Sequence, residues 1–375
     1  MGELIDMVGI ECPEDSVFQE DLEKVVAIPL TWGKLHGSTV LVTGATGAIG
    51  SQIVRTLLAA NRLRQCQMHI IAMARSIEKA HQVFGDLLYR PSMEVLVADV
   101  TKVIHIDCAV DYIFHTAGVT ASKEIVTDPV QTIEVSVIGT KNILDLAKEK
   151  QCKSVVFLSS MEVYGDVRAD ESHRSTENEL GSIDLLKIRS CYPESKRMCE
   201  NMCVCYAAQY GVPVKIARLA QTFGAGVSLH DNRVFAQFAK AAIFAEDIVL
   251  HTKGESNGNY CYTADAVSAL LTILLHGEKS EAYNVVSENA TTTIAQMAQL
   301  VAQKISKGRS RVVFDIPDDI MKYGYAPDVS LKLSSRKLEL LGWKPIVAPE
   351  LETMYERLIA SYRVQIEIAS KGKLM

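Results

Sequence analysis

The fold is decided by the stretch Thr39-Val-Leu-Val-Thr-Gly44-Ala-Thr-Gly47-Ala-Ile-Gly50. Its apolar first half predicts a β-strand over Thr39–Thr43, and the apolar spacing after the glycines predicts a helix from Ile49 to Ala60. Glycine permits a sharp turn and a close approach of the backbone to a pyrophosphate, and the start of a helix offers N–H groups and partial positive charge. Because strand, turn and helix follow in this order, the stretch predicts a nicotinamide dinucleotide site. Its predicted contacts are Gly44, Thr46, Gly47, Ala48 and Ile49.

Strands and helices continue to alternate after this turn. At this spacing the strands are parallel and the helices cross over between them, so the predicted fold class is α/β with a Rossmann-type, doubly wound parallel sheet. The further predicted strands are His69–Met73, Met93–Ala98, Tyr112–His115, Ser154–Ser159 and Val214–Leu219, and the further predicted helices are Ile77–Phe84, Val130–Glu149 and Glu194–Tyr210.

The pattern becomes less regular after Gly224. Helices near Asp265–Leu275 and Thr293–Lys304 and a strand at Ala282–Val286 indicate a smaller α/β substrate domain packed over the carboxyl ends of the sheet, where ligands bind in open α/β folds. The predicted parts are an N-terminal extension over residues 1–37 with a helix around Phe18–Val26, an NAD(P)-binding domain with the catalytic residues over 38–224, and a mostly C-terminal substrate-binding domain over 225–375.

Bulk composition narrows the classes of partner. The chain has 375 residues, 48% of them hydrophobic, which is enough apolar surface for the core of an enzyme. A net charge of −6 gives no broad basic field, which argues against nucleic acid and anionic membrane surfaces. No apolar run reaches the roughly 20 residues that span a bilayer. Nine cysteines, an odd number without metal-type spacing, predict free thiols, a cytoplasmic protein and no metal site.

The end of the second predicted strand bears on the choice of cofactor. NAD-preferring sites place an acidic residue here to accept from the ribose hydroxyls, whereas this strand ends in Arg75 and Ser76. A cation and a hydroxyl favour NADP, with NAD as the alternative. Further predicted cofactor contacts at the ends of the third and fourth strands are Asp99, Val100, His115 and Ala117.

The reaction centre is predicted from Tyr192-Pro-Glu-Ser-Lys196. Residues four apart on a helix share a face, so the phenol and the ammonium are neighbours. A phenol with a pKa near 10 is a poor base, but an adjacent ammonium and the nicotinamide cation stabilise the phenolate and bring it toward working pH. The phenolate can then remove a hydroxyl proton as hydride leaves for the cofactor, which makes both residues predicted cofactor contacts as well.

Together these motifs resemble the extended short-chain dehydrogenase/reductase family, and within it the NAD(P)-dependent nucleotide-sugar epimerases, dehydratases and decarboxylases. The resemblance implies that Ser160, Tyr192 and Lys196 are the catalytic triad, with Ser160 hydrogen-bonding the reacting sugar hydroxyl. It also implies a homodimer formed through the two long helices near Val130–Glu149 and Glu194–Tyr210. The residues that carry it are Gly44–Gly50, His115–Gly118, Gly139–Thr140, Phe157–Gly165, Tyr192–Lys196, Arg218–Gly224 and Leu341–Pro345.

The closest local likeness is to UDP-glucuronate decarboxylases, through residues 189–197 and 230–234. Two departures from the wider family concern groups near the triad. Ser136 stands where the family commonly has an Asn that supports the active-site Lys, and Gln221 stands where members usually place an Asn that contacts the nucleotide-sugar. Gln221 therefore implies a shifted substrate. Lys123, in a loop after the fourth strand that would face the substrate, is a predicted substrate contact, with a solvated loop lysine as the alternative. The resemblance adds Arg233 as a contact of the diphosphate, with a helix-surface ion pair as the alternative.

Two further departures concern the reaction. Met161 replaces the Asp that protonates a leaving hydroxyl in dTDP-glucose-type dehydratases, and Met has no proton to donate. Glu162 remains, placed to act as a base at carbon 5 once carbon 4 is a ketone. Gly258 stands where the decarboxylases carry an Arg that engages the sugar carboxylate, so a uronate would be poorly anchored.

The resulting hypothesis is an enzyme that oxidises a nucleotide-linked sugar at carbon 4 through Tyr192 and returns the hydride after a change at the ketone or its neighbour. Epimerisation ranks first because it needs the fewest groups beyond the triad. Dehydration using Glu162 comes next, then decarboxylation, then net reduction. The alternative from another class is a non-catalytic dinucleotide-binding regulator, which has no need of Ser160, Tyr192 and Lys196 together.

Overall fold

The computed structural model describes residues 9–167, 173–317 and 330–372. The first eight residues of the predicted extension, and residues 318–329 and 373–375 of the predicted C-terminal domain, lie outside the described residues. The strands are β1 (Thr39–Thr43), β2 (His69–Ala74), β3 (Met93–Val97), β4 (Tyr112–His115), β5 (Ser154–Ser160), β6 (Val214–Leu219), β7 (Gln221–Phe223), β8 (Ile248–Leu250), β9 (Asn257–Gly258), β10 (Tyr260–Tyr262), β11 (Ala282–Val285), β12 (Thr292–Thr293) and β13 (Val312–Phe314). The helices are α1 (Ser16–Ala27), α2 (Ala48–Arg64), α3 (Ile77–Phe84), α4 (Ser122–Thr127), α5 (Pro129–Glu149), α6 (Cys191–Tyr210), α7 (Val234–Phe244), α8 (Thr263–His276), α9 (Ile294–Leu300), α10 (Arg336–Glu339) and α11 (Leu351–Gly372).

Seven of the strands form one sheet in the order β11-β6-β5-β4-β1-β2-β3. Strand β1 pairs in parallel with β2 and β4, β2 pairs in parallel with β3, and β4 with β5. The strand order reverses between β1 and β4, and open α/β sheets bind ligands outside the carboxyl ends of the strands at such a switch point. Thr43 and His115, which end β1 and β4, are neighbours in register there. The predicted α/β Rossmann class is confirmed.

The chain forms two compact units. The first contains the described residues up to Ser159 together with Leu185–Ile216 and Leu270–Glu281. The second contains Ser160–Asp184, Ala217–Ala269 and the described residues from Ala282 onward.

In the first unit the N-terminal segment is part of the fold. The predicted helix around Phe18–Val26 is α1, which Asp15 caps by accepting from the N–H of Phe18 at 2.9 Å and which packs on α2. The buried Glu11 carboxylate forms ion pairs with Arg62 at 2.8 Å and Arg90 at 2.9 Å. Burial opposes its charge, but the hydrogen bonds from both guanidinium groups outweigh burial and hold the pKa of Glu11 below its usual value.

The second unit is held by aromatic side chains and one buried carboxylate. The ring of Phe223 stacks on Phe235 with centroids 4.5 Å apart and contacts Tyr355 of α11 at 5.4 Å. Asp265 of α8 accepts hydrogen bonds from three consecutive backbone N–H groups, those of residues 346–348, at 2.8 to 2.9 Å. Trp343 donates its indole N–H to Ser268 at 2.9 Å. These contacts attach the C-terminal segment to the unit.

One local expectation is wrong, and another is refined. Lys123 lies in the first turn of α4 and not in a loop, because the chain winds into a short helix that buries Ile125. The helix expected from Thr293 to Lys304 is α only as far as Leu300. It continues as a π-helical turn over Val301–Ile305, in which the N–H of Ser306 bonds to the carbonyl five residues earlier, before the backbone turns left-handed at Lys307.

Candidate active site

The glycine turn after β1 has the geometry that its sequence predicts. Gly44 has φ +62°, and a Cβ there would come within 2.8 Å of the backbone of Ala117. A Cβ on Gly50 would come within 2.3 Å of the carbonyl oxygen of Gly44. Gly47 is the N-cap residue of α2, whose amino end receives no side-chain cap from a described residue. A tight turn that leads into an uncapped helix end fits the pyrophosphate of a dinucleotide.

Hydrogen bonds connect the end of β4 to the end of β1. The His115 ring hydrogen-bonds Thr43 Oγ1 through Nδ1 at 2.8 Å and Thr140 Oγ1 through Nε2 at 3.2 Å. The N–H of Ala117 donates to the same Thr43 hydroxyl at 3.2 Å. Complete burial, aided by the charge of Lys196, lowers the pKa of His115 to about 3, so this imidazole is neutral. His115 therefore positions the backbone at Ala117 and carries no charge toward a cofactor.

The predicted cofactor residues at the ends of β2 and β3 differ in their surroundings. Arg75 is exposed, whereas Ser76 caps α3 by accepting from the N–H of Lys79 at 3.1 Å. Asp99 accepts from the N–H of Thr101 at 2.8 Å, and this bond holds the pKa of the carboxyl below its usual value. Val100 is buried.

Tyr192 and Lys196 lie in the first half of α6, and both are buried. Lys196 donates its Nζ to the carbonyl oxygen of Leu158 in β5 at 2.8 Å, and Nζ lies 6.0 Å from the centroid of the Tyr192 ring. A Cβ on Gly118 would stand 3.6 Å from the same Nζ. Burial lowers the pKa of Lys196. The first unit thus brings the glycine turn, the end of β4 and the Tyr-Lys pair together.

The remaining predicted site residues have different environments. Lys123, in the first unit, is exposed on α4. In the second unit Ser160 ends β5 and accepts from the N–H of Glu162 at 3.2 Å, which starts a 3-10 turn. Gln221 is half-buried at the start of β7. Arg233 is the N-cap residue of α7 and pairs with Asp231 at 2.6 Å, which is the ion pair considered as the alternative for it.

Two residues near Tyr192 and Lys196 are absent from the predicted site. The Arg189 guanidinium carbon lies 5.4 Å from the centroid of the Tyr192 ring, within range of a cation–π contact. Glu200 is buried in α6 and accepts from the hydroxyl of Ser159 at 2.5 Å. The spacing of Glu200, four residues beyond Lys196 and eight beyond Tyr192, is a signal that places it on the same helix face.

Within the described parts of the chain, no group of three His, Cys, Asp or Glu side chains is arranged to hold a metal ion. Among the described helices, none combines the length and the apolar character that a membrane span needs.

The fold and the site define a dinucleotide-binding enzyme of the Rossmann class. Residues 40–286 match the model of the NAD dependent epimerase/dehydratase family, and the chain belongs to that family. UDP-glucuronic acid decarboxylase 6 of Arabidopsis thaliana is 30% identical over 309 residues, which are 82% of this chain and 84% of the relative. The family resemblance predicted from the motifs is thereby confirmed.

Solved structures share the fold. The UDP-glucose 4-epimerase of Thermotoga maritima, solved with UDP-glucose, has a TM-score of 0.70 at 21% identity and covers 88% of this chain and 99% of its own. The UDP-glucuronic acid 4-epimerase of Bacillus cereus, solved with UDP-glucuronic acid and NAD, has a TM-score of 0.70 at 19% identity, with 88% and 99% covered.

Proposed function

We propose that this enzyme converts a nucleotide-linked sugar through a transient ketone at carbon 4, with epimerisation ranked ahead of dehydration. The observation that carries the proposal is the buried pair of Tyr192 and Lys196 on α6, with Lys196 bonded to Leu158 two residues before Ser160. A regulator that only binds a dinucleotide has no need of a buried ammonium beside a phenol. Epimerases and decarboxylases among the similar proteins act on sugars linked to UDP, which makes a UDP-sugar the first candidate substrate.

Each site residue has a proposed role in the reaction at the sugar. Tyr192, as phenolate, removes the proton of the hydroxyl at carbon 4, and the Lys196 ammonium stabilises the phenolate. Ser160 hydrogen-bonds the same hydroxyl. A bound nicotinamide supplies a reversible hydride acceptor, so the cofactor is recycled. The ketone acidifies the neighbouring carbon 5, where Glu162 is the proposed base. Proposed substrate contacts are Lys123, Gln221 and Arg233.

The glycine turn, Arg75, Ser76, Asp99, Val100 and the end of β4 are the proposed cofactor contacts. The family is NAD dependent, and we propose a preference for NADP because the exposed Arg75 follows β2. A guanidinium is suited to a phosphate, with which it forms two parallel hydrogen bonds.

Decarboxylation is the second candidate, and the 30% identity to a UDP-glucuronic acid decarboxylase favours it. Gly258 supports ranking decarboxylation below epimerisation and dehydration, because the resemblance places a carboxylate-binding Arg at this position in decarboxylases. A Cβ on Gly258 would stand 2.3 Å from the hydroxyl of Tyr260. A side chain at this position therefore requires Tyr260 to move.

The assembly and location are also proposals. We propose a homodimer through α5 and α6, where Val130, Ile133 and Met198 are exposed apolar side chains. A cytoplasmic location is supported by nine cysteines that are all free thiols.

Mass spectrometry of the protein incubated with UDP-, GDP-, CDP- and dTDP-sugars tests the function. Each sugar is tested with NAD and with NADP, in water and in deuterium oxide. Solvent deuterium without further mass change indicates epimerisation through carbon 5, and loss of water or of carbon dioxide indicates dehydration or decarboxylation. Epimerisation at carbon 4 is detected by chromatography of the products. We expect turnover, higher with NADP, that falls by about 10³-fold or more in Tyr192→Phe. Turnover of no sugar, or unchanged turnover in Tyr192→Phe, contradicts the proposal.

A further inference from the structure

Glu200 is a buried carboxylate on the face of α6 that carries Tyr192 and Lys196. The three residues are spaced four apart, which places their side chains one above another along the helix. Glu200 is 8% exposed and Lys196 is 5% exposed, so a carboxylate and an ammonium on one helix are both shielded from water. Burying either charge alone is costly, because the interior does not replace the lost hydration.

The side chains of Lys196 and Glu200 form hydrogen bonds with consecutive residues of β5. Lys196 Nζ donates to the carbonyl oxygen of Leu158 at 2.8 Å, and Ser159 Oγ donates to Oε1 of Glu200 at 2.5 Å. A separation of this size between hydroxyl and carboxylate oxygens is typical of strong charge-assisted hydrogen bonds. Ser160 is the next residue of the same strand. Helix α6 therefore fixes the strand immediately before the proposed catalytic serine.

Among the described residues, the titratable groups around Lys196 include Tyr192, Cys199, Glu200 and Cys203 of α6 and His115 of β4. Burial lowers the pKa of Lys196, while Cys199, Glu200 and Cys203 of α6 act in the opposite direction. Burial raises the pKa of both thiols, and the pKa of His115 on β4 is about 3, so these three side chains are neutral near pH 7. Of these groups, Glu200 is therefore the one whose interaction favours the charged form of Lys196.

We propose that Glu200 is a positioning residue of the active site, which keeps Lys196 charged and, through Ser159, holds the strand end that carries Ser160. The inference deepens the proposed function and rests on it for the roles of Lys196 and Ser160. Without the carboxylate, Lys196 loses its proton at lower pH and no longer stabilises the phenolate of Tyr192. The hydrogen bond and the charge are separable contributions of one side chain.

Two variants separate the contribution of the hydrogen bond from that of the charge. Glu200→Gln keeps an oxygen that can accept from Ser159 but removes the charge, and Ser159→Ala removes the donor but keeps the charge. Thermal unfolding of both is measured from about pH 7 to about pH 10, which needs no substrate. We expect Glu200→Gln to lower Tm by about 5 °C near pH 7 and the deficit to shrink as pH rises. The reason is that Lys196 of the variant has the lower folded-state pKa and releases its costly charge earlier. Ser159→Ala should show a constant deficit.

Lys196→Met provides the matched background. In that background Glu200→Gln should no longer destabilise and should raise Tm, because it removes a buried carboxylate that has lost its cation. A pH-independent deficit in Glu200→Gln that is the same with and without Lys196 would overturn the proposal, because Glu200 would then act only as a hydrogen-bond acceptor.

Activity gives the second test, with the substrate that the nucleotide-sugar panel identifies. We expect kcat of Glu200→Gln to fall at least about 10-fold with KM within about 3-fold, and the alkaline limb of its pH profile to move about one pH unit lower. Glu200→Asp, which restores the charge, should bring the limb back toward that of the wild type. An unmoved limb in Glu200→Gln contradicts the proposal. If no sugar is turned over, the proposed function fails while the thermal measurements still decide the role of Glu200.

Discussion

At the scale of single residues, Gly258 shows how a neighbour can make a glycine obligatory. The position where its Cβ would lie is 2.3 Å from the hydroxyl and 2.5 Å from ring atoms of Tyr260, whose side chain is fully buried. The Tyr260 ring packs edge-on against Phe223 at 5.8 Å, so it has little room to retreat. Sequence alone showed that an expected Arg is missing here. The structure adds that Tyr260 occupies the space that any side chain would need.

A single methyl group tests this packing. We expect Gly258→Ala to lower the free energy of unfolding by about 1–3 kcal/mol, the usual cost of overpacking a core. Urea denaturation measures it. Gly33→Ala is the matched control, because no atom of the described residues beyond its chain neighbours lies within 4 Å of the added Cβ, and its change should stay within about 0.5 kcal/mol. Equal effects of the two substitutions would show that Tyr260 yields without cost.

The face of α6 that carries Tyr192 and Lys196 was only partly predictable from the sequence. Tyr192 and Lys196 have a recognisable spacing, and their pairing on one helix face follows from local geometry. The partner of Glu200 is Ser159, which lies 41 residues earlier on another element, and no local pattern indicates that contact. Arg189 precedes the helix and reaches Tyr192 through a turn whose course the sequence does not specify.

At the scale of elements, the boundaries of β1, β4 and β6 match the sequence prediction. Strands β1 and β4 are short and mostly apolar, as a strand of a parallel sheet covered on both faces requires. Strand β6 keeps its predicted bounds although Lys215 and Arg218 interrupt its apolar residues. Strand β9 was missed because it has two residues and is defined by antiparallel pairing with β12, a partner more than thirty residues away. Helix α11 was also missed, although its buried residues recur at helical spacing: Leu351, Met354, Tyr355, Leu358, Ile359 and Tyr362.

A buried lysine of β6 lies next to the C-terminal end of helix α8. Lys215 of β6 is buried and donates to Ser154 Oγ and, at 3.4 Å, to the carbonyl oxygen of Leu274 near the C-terminus of α8. Lys34 donates to the carbonyl oxygen of Leu275 at 3.0 Å. The C-terminus of a helix stabilises a nearby cation. Burial, together with the nearby charge of Lys34, nevertheless lowers the pKa of Lys215 to about 8.

This shifted pKa predicts a pH dependence of stability. A lysine whose pKa is lower in the folded state destabilises that state while it is charged, so stability rises as pH increases from about 8 toward the unfolded value. The gain is at most about 3 kcal/mol. We expect Lys215→Met to reduce this rise between about pH 8 and about pH 10, as measured by urea denaturation, whereas the exposed Lys102→Met should leave it unchanged. A rise of unchanged size in Lys215→Met would assign the effect to another group.

At the scale of the whole molecule, apolar side chains remain exposed on the two longest helices of the first unit. Val130, Ile133 and Ile138 of α5 are 64%, 43% and 41% exposed, and Met198 of α6 is 55% exposed. Helices α5 and α6 also pack against each other, so these side chains extend from one pair of adjoining helices. Apolar side chains exposed on one pair of adjoining helices favour a protein interface there. The homodimer proposed for the chain places a second copy on this surface.

A single charge on α5 tests the dimer. At a twofold interface one substitution places two like charges near each other and removes apolar contact twice, so Ile133→Glu should weaken association by about 100-fold or more. Sedimentation equilibrium measures the dissociation constant. Leu63→Glu on α2 is the matched control, since Leu63 is 44% exposed and Ile133 is 43% exposed. If the wild type is a dimer that Ile133→Glu leaves intact, the second copy binds elsewhere; a monomeric wild type rejects the dimer itself. Because the same helix pair carries Tyr192 and Lys196, kcat measured for the Ile133→Glu monomer also shows whether α6 keeps its catalytic geometry without a partner.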